Sequence, residues 1–149
     1  MTTQIRPEQA KNTSCRIYNS AAQTIGNASW TTLTFDNESF DTDSMHSTVT
    51  NTGRITVPED GVYLLIHTVG FTSNSTGFRA TRFIKNGTTN FFGNSIDGTN
   101  GNTCTAVGTT ILSLSASDYV TVQVYQNSGG DLDVLARDDD TNFMVVRLF

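Results

Sequence analysis

The stretch "RITVPEDGVYLLIHTVGF", Arg54 to Phe71, decides how the rest of the chain is read. A Pro-Glu-Asp-Gly turn leads into a run, Val62 to Phe71, with large apolar groups at both alternating sets of positions. Successive side chains of a strand point to opposite faces, so Val62, Leu64 and Ile66 point one way and Tyr63, Leu65, Val69 and Phe71 the other. An antiparallel strand with one wet face carries its bulk on a single side. This one reads as a strand covered on both faces, and the covering of the second face becomes the question.

Working outward, the same grammar of short apolar clusters and turn residues runs along the whole chain. "SCRIYNS" (Ser14 to Ser20) and "SWTTLTF" (Ser29 to Phe35) precede the opening stretch, the latter setting Trp30, Thr32 and Thr34 against Thr31, Leu33 and Phe35. Between them and Arg54 lies a long polar loop, with a short strand expected near Ser47 to Thr50. "FRATRFIKNGTTNFF" reads as a hairpin, because Asn86-Gly87 is the strongest two-residue hairpin signal. "TCTAVGTTILSLS", "SASDYVTVQVYQNS", "DLDVLA" and the terminal "NFMVVRLF" follow, and no segment has helical periodicity. Roughly ten short strands at this spacing predict an all-β, antiparallel two-sheet sandwich or jelly roll. The terminal strand, apolar to Phe149, is expected in the middle of a sheet.

Composition bounds the function. The chain has 149 residues, enough for one domain that buries roughly 70% of its unfolded surface. Only 15% of residues are charged and the net charge is −5, with no cluster of Lys or Arg to neutralise a row of phosphates. Nucleic-acid binding is thereby disfavoured, and no apolar run approaches a membrane-spanning helix. The polar start, residues 1–12, lacks an apolar signal core and reads as an extended arm, with Ile5, Arg6 and Pro7 as candidate anchor residues; residues 13–149 read as a single domain. Cys15 and Cys104, far apart in sequence, are expected as free buried thiols.

Three segments carry bulk on both faces: Tyr63, Leu65 and Phe71; Tyr119 and Tyr125; and Phe143, Val145 and Phe149, set against Met144, Val146 and Leu148. Loops of the same chain could cover the extra face. A subunit interface built on one whole sheet is the stronger expectation, because an apolar sheet face left in water invites aggregation. Tyr63, Leu65, Phe71, Tyr119, Tyr125, Phe143, Val145 and Phe149 are the interface candidates.

The order "RITVPEDGVYLLIHTVGF", "FIKNGTT", "LSLSASDYVTVQVYQNSG", "TNFMVVRLF" resembles the tumour necrosis factor / complement-one-q head-domain superfamily, over about Arg54 to Phe149. The resemblance implies a ten-stranded jelly roll assembled as a homotrimer. The earlier part, with "WTTLTFD" and "FDTD" as its specific elements, resembles a module of tailed-bacteriophage virion proteins found in tail fibres, baseplates and capsid-attached fibres. Together these imply a virion structural protein, a capsid decoration, head fibre or tail-fibre head, assembled in the host cytoplasm and docked on a major capsid or tail protein through the arm. The chain departs from most such proteins in having no long fibrous or collagen-like region.

Chemistry finds little support. His46 is expected to be exposed and His67 to be a satisfied structural histidine, and no hydrolase, zincin or phosphate-loop motif is present. No cofactor is expected, with calcium left as a possibility at Asp138, Asp139 and Asp140, since acidic loops supply hard oxygen ligands. An alternative to pure assembly is a lectin-like receptor-binding module recognising host surface glycans. The loop Asn94 to Thr103 would sit at one end of the sandwich, and Trp30, Tyr18 and Phe92 are the aromatic groups that could stack on sugar, although each reads first as core.

Overall fold

The structure, a computed structural model, describes residues 12–149. The candidate arm and its anchor residues Ile5, Arg6 and Pro7 therefore lie outside the described residues. Among these, the chain forms strands and turns with no helix. One antiparallel sheet has the order β4 (Asn37–Asp41), β1 (Ser14–Tyr18), β12 (Asn142–Arg147), β6 (Gly61–Phe71) and β9 (Cys104–Leu114). At the Phe71 end of β6 it continues into β11 (Leu132–Val134) and β2 (Gln23–Ile25). The second sheet runs β8 (Thr89–Thr99), β7 (Asn74–Lys85) and β10 (Tyr119–Gln126), with β5 (Arg54–Thr56) and β3 (Thr31–Thr32) sharing the other edge of β10.

The two sheets close face to face over one core, a jelly-roll sandwich as the strand spacing predicts. The β7–β8 hairpin turns at Asn86 and Gly87, both with positive φ (51° and 73°), which lets the turn follow the right-handed twist of its strands. Asn86 also ties the turn to β10, its amide donating to Asp118 and its carbonyl accepting from the Tyr119 N–H. Asp118 takes a further bond from Lys85, and these donors hold its carboxyl down to about 2. The terminal strand β12 is central, flanked by β1 and β6.

Strand β6 settles the parity question. It pairs with β9 along its whole length on one edge and with β12 on the other. Tyr63, Leu65, Val69 and Phe71 point into the sandwich and are fully buried within a single chain. So do Phe143 and Val145 of β12, with Phe143 packed between Phe35 and Phe83 at 6.4 and 6.1 Å. Five of the interface candidates, Tyr63, Leu65, Phe71, Phe143 and Val145, are thus core residues with no surface to offer a partner. Tyr63 even spends its hydroxyl indoors, donating to the Glu59 carbonyl at 2.8 Å. The outward set is the other one: Val62, Leu64 and Ile66, with Met144 and Val146 beside them.

Other expectations meet local geometry. The strand expected near Ser47 to Thr50 is a bend closed by the Ser47 hydroxyl, and the preceding β4 takes the edge position instead. In Ser29 to Phe35 the alternation holds, with Leu33 and Phe35 buried, but only Thr31 and Thr32 pair as strand. Residues Asn94 to Thr99, expected as an end loop, extend β8, leaving a turn at 100–103.

The opposed roles of neighbouring leucines can be measured. Leu65→Ala removes a fully buried side chain and is expected to lower the unfolding free energy by about 2–5 kcal/mol, seen as a lower denaturant midpoint with an unchanged slope.

Candidate functional site

Two surfaces stand out, one on each sheet. On the outer face of the first sheet, cross-strand register brings Val146, Leu64 and Ile111 into one row over three strands, and Met144 and Ile66 into the next. Ile111 and Val107 of β9 are about half exposed, and Leu148 and Phe149 extend the patch beyond β12 with 45% and 76% of their surface in contact with solvent. Arg16 stands opposite Met144 and Phe40, held there by its bond to Asp138 at 2.7 Å. Of the eight interface candidates only Phe149 lies at this apolar surface.

Tyr119 and Tyr125 belong to the outer face of the second sheet, which is aromatic and polar rather than aliphatic. Along β10 the outward residues are Tyr119, Thr121, Gln123 and Tyr125. The Tyr125 ring lies 5.5 Å from Trp30 and 5.4 Å from Phe78. Arg82 lies over the indole at 4.0 Å while its Nε and Nη2 donate to the Gln123 carbonyl at 2.9 and 2.7 Å. Gln123 in turn donates to the Thr32 hydroxyl at 3.1 Å. Beyond Thr32 an open groove of about 400 Å³ continues toward Tyr119, walled by Thr34, Asn51, Arg54 and Thr121. The Arg54 guanidinium sits 4.8 Å over the Tyr119 ring. Of the three aromatic groups singled out for sugar stacking, none is core: Trp30 is 38% and Phe92 70% exposed, and Tyr18 is half-buried.

The acidic residues proposed for calcium are used otherwise. Asp138 pairs with Arg16, and Asp139 and Asp140 both pair with Arg137, Asp140 at 2.6 Å. Among the described residues no group of three or more His, Cys, Asp or Glu converges to hold a metal ion. The acidic loop is also structural: Asp41 accepts from the backbone N–H groups of Asp43, Met45 and His46. Cys15 and Cys104 are free and buried, and burial, reinforced by Asp41 and Glu38, pushes the Cys15 thiol up, which makes it inert.

Both histidines differ from expectation. The His46 ring is shielded from solvent, with Nδ1 2.9 Å from Glu38 and Nε2 3.0 Å from the Thr52 carbonyl, so it pins the loop that forms one wall of the groove. His67 is structural but unsatisfied: neither ring nitrogen has a hydrogen-bond partner among the described residues. Its ring packs 4.7 Å from Phe83 in a slot bounded by Gly93 and Gly108, where a Cβ on either glycine would strike the imidazole. Burial pushes the imidazole down to about 4.

No family model matches the sequence, and no curated protein matches it. Solved structures do. Murine APRIL superposes with a TM-score of 0.70 at 13% identity, over 93% of this chain and all of the other. Eiger TNF from S. frugiperda gives 0.64 at 16% identity over 93% of each chain. The globular domain of zebrafish complement 1qA gives 0.63 at 11% identity over 92% and 98%. The chain therefore has the jelly-roll fold of the tumour necrosis factor and complement-one-q type. At these identities the likeness is one of fold.

His67 gives the fold a pH dependence of defined sign. The folded state holds the ring at about 4 against 6.5 for a free imidazole. The unfolded chain therefore binds the proton more readily between those values, and stability rises with pH. Full stability is expected above pH 6.5, falling as the pH drops toward 4 by up to about 3 kcal/mol. Denaturant unfolding at pH 7 and pH 4.5 measures it, and His67→Leu should flatten the dependence.

Proposed function

We propose that this chain is a homotrimeric jelly-roll module that works by assembly and binding, without chemical turnover, as a structural protein on the surface of a bacteriophage virion. The observation that carries the assembly is the aliphatic outer face of the first sheet, with Ile111, Leu148 and Phe149 projecting from it. Val62, Leu64, Ile66, Met144 and Val146 on that face all keep part of their surface in solvent, and a continuous apolar surface is stable in water when closed by symmetry-related copies. The virion setting rests on the resemblance of "WTTLTFD" and "FDTD" to tailed-phage virion modules, and the segment 1–12 is the proposed anchor to a capsid or tail protein.

The second reading, a lectin-like module recognising host glycans, is favoured by one observation: the partly exposed Trp30 ring is braced by Tyr125 and Arg82, and Tyr125 in turn stacks on Phe78. Aromatic platforms held rigid on a scaffold suit recognition, and this one lies on the sheet that the trimer leaves free.

Sedimentation of the purified protein is expected to give a trimer. The double substitution Leu64→Asp, Ile111→Asp places charges in one cross-strand row and is expected to yield a folded monomer with an unchanged far-ultraviolet circular dichroism spectrum. A wild-type chain that stays monomeric at every concentration would sink the assembly reading. Removing residues 1–12 is expected to leave the trimer intact and to abolish incorporation into particles.

A further inference from the structure

The geometry points to the groove along β10 as a binding site for an acidic oligosaccharide, its carboxylates held by Arg54 and Arg82 and its sugar rings laid on Trp30. The inference rests on the second reading above and specifies its ligand. Its ground is the distribution of charge. Among the described basic residues, Arg16, Lys85, Arg137 and Arg147 each pair with a carboxylate. Arg79 is fully buried and donates to the Thr76 and Asn74 carbonyls. The two that remain, Arg54 and Arg82, have no carboxylate partner, although the chain carries 14 acidic residues against 9 basic ones. Both lie on the outer face of the second sheet, and each is held over an aromatic ring.

That arrangement fixes two guanidinium groups without neutralising them. The register places Arg54 beside Thr121 on one edge of β10 and Arg82 beside Gln123 on the other. Their Cα atoms are thus about 12 Å apart by strand geometry, a separation that calls for more than one sugar unit. No carboxylate lines the groove, which runs from Arg54 and Tyr119 to Thr32 and whose remaining walls include hydroxyl and amide groups from Thr34, Asn51 and Thr121. Arg82 and Trp30 stand beyond Thr32, joined to it through Gln123. Its volume of about 400 Å³ falls within the usual span of ligand sites, ~300–1,000 Å³. Guanidinium groups donate bidentately to carboxylates, neutral hydroxyls suit the sugar alcohols, and exposed indole surface suits the C–H face of a sugar ring. A nucleic acid fits less well, since two cations are few for a phosphate chain against a net charge of −5.

The experiment uses the full chain and its single tryptophan, Trp30, as the reporter. Carboxylated oligosaccharides, namely oligogalacturonate and sialylated chains, are titrated while Trp30 fluorescence is followed, with methyl-esterified oligogalacturonate as the uncharged match. Saturable binding of an acidic chain is expected, weakened by esterification, by added salt and, roughly tenfold to a hundredfold, by Arg54→Gln. Thr121→Val should weaken it with no change in oligomeric state or melting temperature. Binding that is the same in Arg54→Gln, or that prefers the ester, would overturn this site while leaving a glycan-binding function standing. No binding of any charged or neutral glycan across an array would overturn both.

Discussion

Strand β6 is gripped along both edges, by β9 and by β12, and the rest of the molecule follows from that double pairing. With its register fixed on two sides, every second side chain is committed to the interior: Tyr63, Leu65, His67, Val69 and Phe71 have no other place to go. A slip of one residue would exchange this set for Val62, Leu64 and Ile66, which lack the rings of Tyr63 and Phe71 and the imidazole of His67 that meets Phe83 across the sandwich. The core therefore specifies the register, and the register in turn decides which aliphatic groups are displayed.

The display is asymmetric between the sheets, and the difference is chemical. The outer face of the first sheet is aliphatic, with one arginine, already paired to Asp138, at its margin. That of the second sheet mixes rings, hydroxyls and two arginines that have no acid to answer them. Aliphatic faces associate through area and shape, whereas stacked rings with fixed donors select a ligand by its groups. One sandwich thus holds a surface fit for self-association and another fit for recognition, separated by the thickness of its core.

Much of this was legible in the sequence. Spacing and turn residues sufficed for the sandwich, for the Asn86-Gly87 hairpin, for the alternation of Leu33 and Phe35 and for the central place of the last strand. The parity of β6 was not legible, because both of its faces are apolar and alternation says only that two sets exist. A partial signal existed across the sheet: three of the five outward partners in β9, Thr105, Thr109 and Ser113, are polar, but Val107 and Ile111 share that face, and the inward set, with Cys104, Ala106, Leu112 and Leu114, also includes Thr110. The arginine–aromatic pairs unite residues far apart in the chain, Arg54 with Tyr119 and Arg82 with Trp30, and only the fold makes them neighbours. His46 misled because its surroundings in sequence are acidic and polar, yet its ring turns inward to Glu38 and the Thr52 carbonyl.

The slot around His67 ties three distant positions into one unit of inheritance. Gly93 and Gly108 come from different sheets, and the imidazole occupies the room their absent side chains leave. A methyl group added to either would collide with a ring that close packing prevents from moving aside. Drift at these sites is therefore concerted: a bulkier residue at 108 is admissible only in a lineage that has first shrunk residue 67, and one at 93 needs Thr81 to give way as well. Chains of this kind should carry either the full trio or a joint replacement of it.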